Sequence, residues 1–145
     1  MNILVVEDHP IVREVLAAVA SYALRGSRVK AVGDLESAFE AARAMPMDAV
    51  LLDLGLPGCR GVDSVKRFKE AFPRVVIVVV SSNEDSQVIA DALAAGASGY
   101  LPKGLTPAGL TKALIGTRLG QQPDWLVPEL SRSLGTAAPH GKDPR

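Results

Sequence analysis

Residues 75–80 read VVIVVV, an unbroken β-branched run. Branching at Cβ favours the pleated strand over the helix, and a strand that is apolar on both faces has to be covered on both faces. Parallel sheets sandwiched between helices meet that demand. The run therefore predicts a central strand of an α/β sheet, and the rest of the chain should supply its parallel neighbours and their crossover helices.

Four more short runs share this character: Ile3 to Val6, Arg28 to Val32, Asp48 to Leu52 and Ser98 to Leu101. Each of the five strand segments is followed by one of helical period, predicted over Ile11 to Leu24, Leu35 to Met45, Val62 to Phe72, Asp85 to Ala95 and Pro107 to Leu119. Pro107 suits a first helical turn, and Gly26 and Gly96 stand where helices should stop. Strand and helix in strict alternation, joined by right-handed crossovers, predict an α/β fold of the doubly wound, flavodoxin-like kind: a five-stranded parallel sheet in the order 2-1-3-4-5 with five helices. In such sheets ligands bind beyond the carboxyl ends of the strands, where the strand order reverses.

Composition narrows the function. The chain has 145 residues, 48% apolar and 22% charged, enough for one domain burying about two-thirds of its unfolded surface without a metal or disulfide staple. Lys and Arg number 16, as do Asp and Glu, so no net positive field speaks for nucleic-acid binding. The single cysteine, Cys59, excludes an internal disulfide and a multi-cysteine zinc site. The opening MNILVVEDHP lacks the basic start of a signal peptide, and no apolar run is long enough to span a bilayer. A cytoplasmic, soluble protein is expected. From Gly120 onward prolines and glycines break the pattern, predicting a domain over residues 1–120 and a linker or tail over 121–145, with room for one short helix at Pro128 to Leu134.

Polar residues gather at the carboxyl ends of the predicted strands. Strand one discharges into Glu7 and Asp8, a doublet that repels itself unless a cation, a donor or water separates the charges. Strand three delivers Asp53 to the same edge, strand four Ser81 and Ser82, and strand five Tyr100 with Lys103 beyond it. Carboxylate-dominated sites suit a hard cation, above all Mg2+. A carboxylate nucleophile, a cation, a hydroxyl and an ammonium together make a kit for accepting a phosphoryl group. Singly, most of these residues have plainer readings: Asp8 or Ser81 as helix caps, Tyr100 as a half-buried sheet aromatic, Lys103 as a solvated loop charge. His9 reads as a loop or first-turn residue, and Cys59 as incidental to its turn. Asp53 has no helix close behind it to cap.

Taken together, the doublet after strand one, the pattern D-x-x-L-P-G-x-x-G from Asp53 to Gly61, Ser81, and Lys103 three residues after Tyr100 resemble the receiver domain of two-component response regulators, over roughly Asn2 to Leu119. The resemblance implies Asp53 as the phosphoacceptor, Asp8 as a direct Mg2+ ligand, Glu7 holding the ion largely through water, and the Gly55 backbone carbonyl completing the protein ligands. It further implies that Ser81 turns its hydroxyl to the phosphoryl group, that Tyr100 changes rotamer as the output face rearranges, and that Lys103 contacts a phosphoryl oxygen. Asn83, close by, would tune the lifetime of the acyl phosphate. One departure stands out: the family often has proline directly after this lysine, whereas here Pro102 precedes Lys103 and Gly104 follows it. The reach of Lys103 is thus for the structure to decide.

VVEDHPIVRE (residues 5–14) and GQQPDWLVPEL (residues 120–130) look most like the receiver half of LuxR-type transcriptional regulators, where a helix-turn-helix domain follows the linker. None is visible after Leu134. The resemblance implies phosphorylation by a sensor histidine kinase or phosphotransfer protein, homodimerisation on phosphorylation, and no enzymatic turnover beyond the domain's own phosphorylation and dephosphorylation. No contact with nucleic acid or membrane by these residues is expected. Two alternatives stand beside this: a stand-alone regulator acting through protein contacts, and a Mg2+-dependent phosphohydrolase with Asp53 as nucleophile, for which no general acid or cap insertion is visible. A flavin or nucleotide binder would show a glycine-rich loop where EDHP stands.

Overall fold

Branched and aliphatic side chains pair the five predicted strands into one parallel sheet. The computed structural model describes residues 1–58, 61–82 and 85–117, with no side chain described for residues 116 and 117. The strands are β1 (Asn2–Val6), β2 (Arg28–Val32), β3 (Ala49–Asp53), β4 (Val76–Ser81) and β5 (Gly99–Pro102), and they alternate with α1 (Pro10–Ala23), α2 (Leu35–Ala44), α3 (Asp63–Ala71), α4 (Ser86–Ala94) and α5 (Pro107–Thr117). The sheet order is β2-β1-β3-β4-β5, parallel throughout. The crossover from β1 runs one way along the sheet and the later three run the other. Right-handed connections then set α1 on one face and α2, α3 and α4 on the opposite one, while α5, which follows the last strand, lies on the side of α1 and packs against it. The rings of Phe39 in α2 and Phe68 in α3 meet at 5.3 Å.

The VVIVVV run behaves as its chemistry demands: Val75 and Ile77 to Val80 are buried, as is every residue of β3 and β5. β2 differs. Its RVKAV sequence lies at the sheet edge, with Arg28, Lys30 and Ala31 exposed, and Arg28 and Lys30 place charge on an edge that could otherwise pair with another chain. β4 begins one residue later than expected and extends through Ser81, and β3 extends through Asp53. Both polar residues are therefore held by the sheet rather than by a loop.

Helix ends follow local chemistry. Asp34 and Asp85 cap α2 and α4, accepting from Ser37 N and Gln87 N at 2.7 and 2.8 Å. Gly26 and Gly96 both lie at positive φ after a helix, at 86° and 120°. At Gly96 a Cβ would also stand 3.0 Å from Lys69 Cγ, and that side chain is anchored by Nζ donating to Val75 O at 2.9 Å. Gly96→Ala is expected to destabilise the fold by about 1 kcal/mol or more, read as a lower urea midpoint with unchanged slope. No helix among the described residues is long and apolar enough to cross a membrane. The expected linker or tail over 121–145, its short helix, Cys59 and Asn83 lie outside the described residues.

Candidate functional site

Strand register assembles the site. Val6 pairs with Leu52, so the next residues, Glu7 and Asp53, end neighbouring strands at the same level. Asp53 pairs with Val80, and Ser81 with Pro102. Lys103 N donates to Ser81 O at 2.9 Å, tying the loop after β5 to the end of β4. With this anchor Lys103 reaches the acids despite the preceding proline: Nζ lies 2.8 Å from Glu7 Oε1 and 3.1 Å from Asp53 Oδ1. Among the described residues every peptide bond is trans.

Glu7 is fully buried, and its Oε1 faces the Lys103 ammonium as an ion pair without a hydrogen bond. Beyond Lys103, its Oε2 accepts from His9 N at 3.1 Å and from the His9 ring Nδ1 at 2.8 Å. Arg13 adds a guanidinium N–H on the Glu7 carbonyl at 3.1 Å. Asp8 is not a helix cap: the N-cap of α1 is His9, whose side chain caps nothing and instead folds back over the acids. Asp8 Oδ1 is buried without a hydrogen bond, the His9 Nδ1 standing 3.3 Å away. Asp53 is 3% exposed; Gly55 N donates to its Oδ1 at 3.0 Å, while its Oδ2 is buried with no hydrogen-bond partner. Ser81 is buried, and α4 is capped by Asp85, so Ser81 is no cap either. Tyr100 is fully rather than half buried.

One ligand atom each from Glu7, Asp8, His9 and Asp53 lies within 4.8 Å of the others. Buried oxygens of Glu7, Asp8 and Asp53 have no hydrogen-bond donor, and oxygens of this kind are what a hard cation satisfies, so the three carboxylates fit Mg2+. Gly55 is an exposed residue, and the contribution seen from it is its N–H. Sequence reasoning sets His9 aside as a loop or first-turn residue and does not single out Arg13. The signal for His9 was the dipeptide with Pro10, since a residue before proline is held extended, here at φ −84° and ψ 117°.

The charges are unevenly compensated. Burial pushes Glu7 up, but the Lys103 ammonium and the hydrogen bonds from His9 outweigh it and hold the carboxyl below its usual range. Burial pushes Asp53 up, the Glu7 charge adds to this, and the Gly55 N–H and the Lys103 ammonium only partly oppose it, leaving a raised pKa. Burial pulls Lys103 down, but Glu7 and Asp53 together raise it above its ordinary value. The hydrogen bond to Glu7, with the charge of Asp8, raises that of His9. Because the folded protein holds the Asp53 proton more tightly than the unfolded chain, stability contributed by that proton is lost as pH rises through the folded pKa. Asp53→Asn is therefore expected to be more stable than wild type at pH 7 in EDTA, by about 1 kcal/mol, with the difference shrinking as pH falls toward 4. Urea denaturation at both pH values measures it, and equal stabilities at pH 7 would contradict it.

Comparison with known proteins places this geometry. Residues 3–115 match the family of the response regulator receiver domain. The nitrate/nitrite response regulator protein NarL of Escherichia coli (strain K12) is 33% identical over 135 residues, covering 92% of this chain and 62% of that protein. The glycerol metabolism activator of Pseudomonas putida is 33% identical over 114 residues, covering 78% of this chain and 52% of its own length. The chain thus spans between 52% and 62% of these two relatives. The crystal structure of a LuxR-family two-component response regulator from Aurantimonas, 29% identical, shares the fold with a TM-score of 0.79 over 94% of this chain and 96% of that one.

Proposed function

From the premise that the chain belongs to the response regulator receiver domain family, we propose that it is a Mg2+-dependent phosphoacceptor that takes a phosphoryl group from a histidine kinase, or a phosphotransfer protein, onto Asp53. Receiver domains of this family are signalling proteins rather than metabolic enzymes. The observation that carries the reading is Asp53 Oδ2: a buried carboxylate oxygen, free of hydrogen bonds, beside a lysine ammonium held on the other oxygen.

Oδ2 attacks phosphorus, the bond from phosphorus to the donor's imidazole nitrogen breaks, and that nitrogen keeps the electron pair and takes a proton from water. Asp8, Asp53, the Gly55 carbonyl and, through water, Glu7 would hold Mg2+, and the ion would supply neutralisation of the phosphoryl oxygens. Lys103 is already at the acceptor and needs only to turn its ammonium from Asp53 Oδ1 to a phosphoryl oxygen. The N–H of Gly55 keeps Asp53 oriented meanwhile. The added charge draws the Ser81 hydroxyl, and the face around the buried Tyr100 repacks into a second state. Residues 1–120 act as the receiver unit and 121–145 as its linker, in the regulatory half of a LuxR-type cytoplasmic transcriptional regulator that dimerises on phosphorylation.

Incubation with acetyl phosphate, with and without Mg2+, followed by intact mass measurement, tests this. A single-phosphate adduct is expected only with Mg2+, and none is expected on Asp53→Ala. An adduct that survives in Asp53→Ala, or that forms equally in EDTA, would overturn the assignment.

A further inference from the structure

His9 is not needed by the phosphoacceptor chemistry, yet it is built into the pocket. Its backbone N–H and ring Nδ1 both reach Glu7 Oε2, at 3.1 and 2.8 Å, and Nδ1 stands 3.3 Å from Asp8 Oδ1. Pro10 restricts the backbone that presents the ring. The ring itself is 66% exposed, so it can turn by a small angle without repacking anything. Asp53, whose Oδ2 is buried without a hydrogen-bond partner, belongs to the same four-residue cluster. One imidazole nitrogen already lies within 4.8 Å of a ligand atom from each of Glu7, Asp8 and Asp53, a spacing that a single divalent cation can span.

Resting on the reading of the acidic pocket as a metal site, we infer that His9 is a further ligand there, turning an all-oxygen site into a mixed nitrogen and oxygen site that selects borderline divalent transition cations over Mg2+. Oxygen-only sets suit Mg2+, whereas imidazole suits Ni2+, Zn2+ and Cu2+, and neutral histidine is the commonest protein ligand for such ions. Glu7 keeps Lys103, and Asp8 and Asp53 supply the charged oxygens.

Separate calorimetric titrations of the full chain with Ni2+ and with Mg2+, near pH 7.5, test the inference by the ratio of the two dissociation constants. His9→Gln is expected to reduce the preference for Ni2+ about tenfold, and His140→Gln, which alters the only other histidine, is expected to leave it unchanged. His9→Asn, which places a good N-cap residue at the start of α1, repeats the measurement with the helix start secured. A ratio within twofold of wild type in both His9 variants overturns the inference while Mg2+ binding upholds the site. If wild type binds neither cation, the metal reading beneath it falls as well.

Discussion

Lys103→Met will lower the stability of the fold by about 3 kcal/mol, because removing one partner of a buried ion pair strands the other. Glu7 is fully buried, and Lys103, 18% exposed, stands 2.8 Å from it and 3.1 Å from Asp53. Taking the ammonium away leaves both carboxylates without their shared counter-ion. A solvated surface pair would change stability by no more than about 1 kcal/mol, so urea denaturation at pH 7 in EDTA separates the two cases. Replacing both partners, with Glu7→Leu added to Lys103→Met, should recover much of the loss, since apolar substitution of a whole buried pair is close to neutral. The loss in Lys103→Met should also diminish in acid, where Glu7, no longer held below its usual range by the ammonium, becomes protonated. A single variant as stable as wild type would mean that the ion pair contributes nothing.

Phe68→Ala should cost about 4 kcal/mol. Phe68 is completely buried and lies at the centre of the three phenylalanines, 5.3 Å from the Phe39 ring and 5.0 Å from that of Phe72. Those rings join α2 to α3 on the face of the sheet opposite α1 and α5. Truncation leaves a cavity between the rings of Phe39 and Phe72, both only half buried. Phe39→Ala, removing a partly exposed ring, should cost about half as much. Because the cluster lies away from the carboxyl edge of the sheet, the phosphorylation of Asp53 by acetyl phosphate should be preserved in Phe68→Ala at temperatures where it remains folded. Thermal melts and intact mass measurements on the same sample read both outcomes, and a variant with an unshifted melting temperature would show that the cluster is not a packing centre.

The chemistry of the candidate site was written at strand ends, which is why much of it could be read in advance. Glu7 and Asp8, Asp53, Ser81, and Tyr100 with Lys103 each follow an apolar run of strand length, and parallel strands bring all their carboxyl ends to one edge. Less could be read of what each side chain does there. Asp8 and Ser81 had equally good prospects as helix caps, and only the observed caps, His9 in position if not in bonding and Asp85 for α4, remove that reading. His9 was set aside because isolated histidines near helix starts are ordinary; its ring finds a partner only because Glu7 is buried at the adjoining strand end.

The sequence by itself determined the five strands and five helices, the parallel order and the edge at which the acids collect, because those follow from local periodicity, Cβ branching and the handedness of crossovers. Tertiary structure alone decided the electrostatics: which carboxylate is fully buried, which oxygen of Asp53 is left without a donor, and how far Lys103 reaches past Pro102. Those depend on register and on burial contributed by residues distant in the chain. A charge interacts with everything within a few ångströms, whatever its position in sequence.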